Sequence, residues 1–149
     1  TIAVNLTGTF LCTGAVLPDM LDRRWGRVVN IASTAGLRGY KTMTAYSASK
    51  HGVVGFTRSL ALETAKHGVT VNAVCPGYTD TDMSDRAITN LVQALGVSPE
   101  EAKAMLVRGI PRGRLTTPAE VASAVAWRCS PDAAAVTGIA MPIAGGEVG

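Results

Sequence analysis

The sequence predicts an α/β fold, a parallel sheet of three visible strands covered by helices on both faces. Two observations carry this. The runs RVVNIAS, Arg27 to Ser33, and VTVNAVC, Val69 to Cys75, are short, β-branched and unbroken, the mark of fully buried strands. Long helical patterns alternate with them, and strands joined by helical crossovers pair in parallel. So small a parallel sheet leaves a strand edge bare.

The elements follow in order. Thr1 to Asp22 reads as a helix with apolar residues spread round much of its surface, so it is expected to be well buried. Gly26 ends the next turn, and the first strand follows. Gly36 and Gly39 mark a loop. A second helix is predicted from Thr44 to Lys66, closed by Gly68. The second strand stops at Pro76-Gly77. From Tyr78 to Arg114 the pattern looks mobile, with one helix near Pro99 to Val107 capped by Ser98. Thr117 and Glu120 form a capping box for a helix that reaches about Arg128. The last run, GIAMPIAGG, is a short strand ending at Gly145-Gly146, and Pro142 suits an edge or a strand end.

Composition excludes several classes. The chain has 149 residues, 47% apolar and 17% charged, which suits one globular domain. A net charge of +3 without a Lys/Arg block gives no case for nucleic acid. No run of apolar residues is long enough for a membrane span. TIAVNLTGTF carries no basic leader region, so no signal peptide is expected. Cys12, Cys75 and Cys129 are scattered and odd in number, so they read as small buried hydrophobes of a reducing cytoplasm. The two histidines are isolated too, and no metal-ligand spacing exists.

The chemistry centres on YSASK. Tyr46 and Lys50 stand four apart, on one face of a helix. A free tyrosine titrates near pH ~10, and a neighbouring ammonium favours its phenolate. Such a phenol suits reversible proton exchange with an alcohol or ketone oxygen. The pair alone is a weak signal, since chance places it on many helices. Ser33 strengthens it. That hydroxyl ends a buried strand, where open α/β sheets bind ligands, and a two-glycine loop separates it from Tyr46. His51, one residue round the helix from Lys50, faces elsewhere and reads as structural.

VNLTGTF, VVNIASTAG, YSASKHGVVGFTRSLALE, VNAVCPGYTDTDM, PRGRLTTPAEVA and VTGIAMPIAGG resemble, in order, signatures of the short-chain dehydrogenase/reductase family. The resemblance covers essentially the whole chain. It implies the C-terminal half of a doubly wound Rossmann-type sheet and NAD(P)(H) as cofactor, with NAD against NADP undecided. Tyr46 would be the proton donor and acceptor, Lys50 would support it and bind the nicotinamide ribose, and Ser33 would orient the substrate carbonyl. Asn5 would support a water-linked proton relay to the lysine. Pro76 and Gly77 would bring backbone close to the nicotinamide. Thr79 through its main chain and Thr81 through its hydroxyl would hold the carboxamide, although both also fit ordinary turn chemistry. The first two helices would form a dimer interface, commonly within a tetramer.

Residues 81–114 would then be a substrate lid. The wording most resembles ketoreductases of 3-oxoacyl thioesters, so the substrate is expected to be a small carbonyl or alcohol compound, possibly linked to coenzyme A or a carrier. Arg108, Arg112 and Arg114 are open to two readings, phosphate contacts or a solvated face, and the second is favoured. A dehydrogenase of a small or cyclic secondary alcohol is the alternative enzyme, and a non-catalytic binding module the alternative of another class. The family's glycine-rich cofactor turn has no counterpart here, because no two glycines are spaced two apart. The turn and the first four of seven strands are expected upstream of Thr1, and the 149 residues alone are expected to be inactive.

Overall fold

The computed structural model describes residues 1–148. A π-helical stretch, Ala3–Thr7, runs into α1, Gly8–Asp22. β1 is Gly26–Ile31, α2 Thr44–Thr64 and β2 Val69–Pro76. Then come α3, Asp82–Leu95, α4, Pro99–Val107, and α5, Pro118–Cys129. β3 is Ala140–Ile143. The strands pair in parallel in the order β1-β2-β3, with Val28 opposite Val71 and Ala73 opposite Ala140.

β2 is the spine, and Val69 to Cys75 are all buried. Alternate residues point to opposite faces. Val69 and Val71 pack with Leu60 and Ala61 of α2, and Leu17, Met20 and Leu21 of α1 close over them. Ala73 and Cys75 pack with Val53 and Val54. α5 contributes further packing against β1 and β2. Two buried asparagines are fully employed. Asn30 donates to Thr57 Oγ1 at 2.9 Å, while Asn72 donates to the Val136 carbonyl and accepts from the Ile139 N–H. The second pair ties the approach to β3 onto β2. Pro142 lies on β3, an edge strand among the described residues, where a missing N–H breaks no ladder.

Four expectations need correction. α1 is not well buried: only Thr13 is, while Val4 of the π-helical stretch and Phe10, Leu11 and Val16 of α1 are exposed. The apolar spread is real, but the described residues leave these side chains largely uncovered. Cys75 is buried as expected, whereas Cys12 and Cys129 are exposed. The stretch after Tyr78 is more ordered than its turn-rich composition suggested, because α3 fills residues 82–95. β1 ends at Ile31, two residues before Ser33. There the Ser33 hydroxyl accepts the Ala35 N–H at 3.1 Å and starts a short 3-10 turn instead.

Candidate active site

A cavity of about 570 Å³ opens beyond the C-terminal ends of β1 and β2. Ser33, Tyr46, Lys50, Pro76, Gly77, Thr79 and Thr81 all line it. Thus seven of the eight residues singled out from sequence converge. Asn5 does not line it.

Helix α2 supplies Tyr46 and Lys50 on one face. Lys50 reaches back to the strand end, where its Nζ donates to the Ile31 carbonyl at 2.9 Å. The same nitrogen lies 5.7 Å from the Tyr46 ring centroid. One of three ammonium protons is thereby used, which leaves two for a ligand. Burial pushes Lys50 below its ordinary range, and the nearby Cys75 sulfur opposes that weakly. The Tyr46 hydroxyl has no hydrogen-bond partner among the described residues.

Gly36 sets the distance between the two segments. A Cβ there would lie 2.7 Å from the Lys50 carbonyl oxygen and 3.2 Å from Val54 Cγ2. Only glycine lets the turn after Ser33 press this closely on the helix that carries Tyr46. The Ser33 oxygen spends a lone pair on the Ala35 N–H and keeps its own proton for donation.

Asn5 works one layer back. Its Nδ2 donates to Ser49 Oγ at 3.2 Å, and Ser49 Oγ donates to the Tyr46 carbonyl at 2.7 Å. Asn5 sits in the π-helical stretch, a distortion frequent at functional sites. It therefore braces the backbone of the tyrosine.

The opposite wall follows β2. Thr79 makes a parallel bridge to Thr116, through Asp80 N to Thr116 O at 2.8 Å and Thr116 N to Tyr78 O at 2.9 Å. In a parallel bridge the central residue's own N–H and C=O point the other way. The Thr79 N–H is therefore turned from Thr116, while its hydroxyl donates to the Gly77 carbonyl at 3.1 Å. Thr81 is the N-cap of α3, and its hydroxyl donates to the Thr79 carbonyl at 3.2 Å. Turn chemistry is thus present at both threonines. Gly77 is crowded by protein, since a Cβ would meet Glu147 Oε2 at 2.7 Å and Ala144 Cβ at 3.0 Å.

Sequence reasoning missed Tyr40 and Tyr78, which line the same cavity, and Met43 and Met83 beside them. No spacing marks these residues. A tyrosine directly after Pro76-Gly77 was the available hint. Two of the three lid-side arginines have carboxylate partners. Arg112 meets Glu120 Oε1 at 2.6 Å and Arg114 meets it at 2.7 Å. Glu120 also accepts the Thr117 N–H at 2.8 Å. Those bonds, the Arg114 one first, hold the Glu120 carboxyl far below the usual range. His51 turns its Nδ1 to the Ser47 carbonyl at 2.9 Å and does not line the cavity.

A parallel sheet with a cavity at its strand ends defines a Rossmann-type α/β architecture, and here serine, tyrosine and lysine line that cavity. Comparison with known proteins gives the family. The short chain dehydrogenase family model matches residues 1–91. A putative ketoacyl reductase of Streptomyces coelicolor is 48% identical over 147 residues, 97% of this chain and 56% of that protein. A 3-oxoacyl-acyl-carrier-protein reductase, FabG of Aquifex aeolicus, is 43% identical over 97% of this chain and 54% of its own length. A crystal structure of an actinorhodin polyketide ketoreductase variant with NADPH superposes with a TM-score of 0.91 at 49% identity, covering 96% of this chain and 56% of that one. The chain belongs to the short-chain dehydrogenase family, and it spans about half the length of the curated relatives it matches.

Proposed function

We propose that the protein is an NAD(P)-dependent oxidoreductase that interconverts a ketone and a secondary alcohol, and that its substrate is a 3-oxoacyl thioester on coenzyme A or a carrier. The observation that carries this is the convergence of Ser33, Tyr46 and Lys50 on one cavity with the Pro76 to Thr81 loop. When bound, the nicotinamide supplies the hydride. The residues present fit it: Lys50 has two uncommitted N–H groups for a ribose hydroxyl, and the Thr79 N–H faces away from its bridge. Ser33 donates its proton to the carbonyl oxygen and fixes its direction. Tyr46 gives that oxygen a proton in reduction and takes one in oxidation. The Lys50 ammonium offsets the negative charge left on the phenol oxygen. Asn5 steadies the Tyr46 backbone, and its place beside Ser49 suits the end of a proton relay. The rest of the dinucleotide is held by sheet that the relatives carry and these 149 residues do not. Residues 81–114 act as the lid.

The thioester reading rests on the similarity to ketoacyl reductases and 3-oxoacyl-acyl-carrier-protein reductases. A D-β-hydroxybutyrate dehydrogenase of Cupriavidus necator, 42% identical over 99% of this chain, and a levodione reductase structure, 36% identical with a TM-score of 0.89, keep a small free ketone as the second reading. We further propose a homodimer or tetramer built on α1 and α2, supported by exposed Phe10, Leu11, Val16 and Leu62. No helix among the described residues is long and apolar enough to cross a membrane. Unbridged Cys12 and Cys129 suit a reducing cytoplasm.

The test is turnover by the protein at full length, with acetoacetyl-CoA and with cyclohexanone, each with NADH and NADPH. Thioester reduction at the higher kcat/KM is expected. Tyr46→Phe should lower kcat by about 10²–10⁴-fold. A Tyr46→Phe variant as active as the parent would sink the assignment.

A further inference from the structure

All three tyrosines of the chain line the cavity, and one of them is tied down from behind. The Tyr40 oxygen lies 2.6 Å from Glu147 Oε1 and 2.9 Å from Thr34 Oγ1. A carboxylate only accepts, so the single phenolic proton goes to Glu147 and Thr34 donates. Arg38 completes the clamp. Its guanidinium stands 4.6 Å over the Tyr40 ring centroid and 3.0 Å from Glu147 Oε1. The Glu147 side chain is 4% exposed and does not line the cavity. Its Oε2 is buried, against Gly77, without a partner among the described residues. A buried carboxylate with one oxygen unpaired is costly to keep unless its other contacts hold it.

We propose that Glu147 is a positioning residue that fixes Tyr40 as a wall of the cavity, and that Tyr40 sets how much bulk a substrate can carry beside its carbonyl. The proposal rests on the oxidoreductase reading. Three contacts immobilise the ring: charge on one face and two hydrogen bonds at the hydroxyl. A side chain so held cannot swing aside to admit a wider molecule. Its proton is committed to Glu147, so Tyr40 does not replace Tyr46 as a donor. Burial, and then Glu147, also raise the Tyr40 phenol above its ordinary range. Tyr78 is raised in the same way. Glu147 thus joins the end of β3 to the loop after Ser33, two segments 107 residues apart in sequence.

The experiment uses the full-length protein with Tyr40→Phe, Glu147→Gln, the double variant and Tyr40→Ala. Melting midpoints read the tether without substrate. The losses in the double variant are expected to be less than additive, because both changes break the Tyr40–Glu147 bond. Calorimetric binding and kcat/KM for cyclohexanone and 1-indanone read the wall. Tyr40→Ala should shift the ratio toward indanone by about tenfold. Tyr40→Phe and Glu147→Gln should shift it the same way by less, with cofactor affinity unchanged. Additive losses of stability, or a ratio unmoved in Tyr40→Ala, would overturn the proposal. If the parent binds both ketones but reduces neither them nor acetoacetyl-CoA, the oxidoreductase reading fails and the binding ratio still decides the wall. If it binds neither, the wall proposal is overturned, and turnover of acetoacetyl-CoA decides the oxidoreductase reading by itself.

Discussion

The two walls of the cavity are built in different ways. The Ser33–Tyr46–Lys50 wall is held by long-range contacts: Lys50 Nζ on the Ile31 carbonyl, and Gly36 against the Lys50 carbonyl. Buried β2 stands behind it. The Gly77-to-Ser84 wall is held mostly by near neighbours. Thr79 bonds to Gly77, Thr81 to Thr79 and Ser84 to Thr81, each two or three residues away. Local bonds survive when a segment swings as a body, and long-range bonds do not. The first wall is therefore expected to hold its geometry, and the second to be the freer of the two to move. The bridge of Thr79 to Thr116, with Glu120 clamping the chain just beyond, would limit such movement.

The comparison can be broken most severely at Gly36. In Gly36→Ala the new methyl meets helix backbone, which cannot yield as a side chain tip would. The Ser33-to-Tyr46 geometry must shift by several tenths of an ångström, and kcat/KM should fall by about 10²-fold although no substrate contact is touched. Steady-state kinetics check this, and a near-normal rate would mean that the first wall is not rigid. A smaller effect is expected from Thr81→Val on the second wall. Loss of one hydroxyl should weaken nicotinamide binding by about tenfold and leave kcat nearly unchanged. Thr81→Ser should restore affinity. Cofactor fluorescence titration reads both.

The smallest effect is at the far anchor. The Glu120 carboxyl is held below its ordinary range, so its stabilisation is complete above pH ~4.3 and fades as the carboxyl is protonated below that. Glu120 is on the surface, so the effect should be local. Limited proteolysis within residues 112–117 should run faster in Glu120→Gln than in the parent at pH 7. Strong acid should erase the difference. Equal rates at both pH values would mean that Glu120 does not anchor this segment.

Most of the sheet was legible because β-branched runs such as VTVNAVC have few other fates. α4 and α5 were legible because Ser98, Pro99, Thr117 and Glu120 are local signals with local causes. The cavity residues were legible where a motif lies at or just past a strand end, as at Pro76, the last residue of β2, and Ser33, two residues beyond β1. What escaped has long-range causes. Burial of α1 depends on surfaces that these residues do not supply. Residues 82–95 carry an amphipathic pattern, Met83, Ala87, Leu91 and Leu95, hidden behind the turn residues that precede it. Tyr40 and Glu147 meet across most of the chain, and nothing near either residue announces the other.

The open face of α1 has a practical side. Phe10, Leu11 and Val16 give these 149 residues an adhesive patch when they stand by themselves in solution. Their osmotic second virial coefficient should be negative, and more so in ammonium sulfate, because excluded salts strengthen apolar association. Light scattering that grows faster than concentration would then come from exposed apolar side chains such as these.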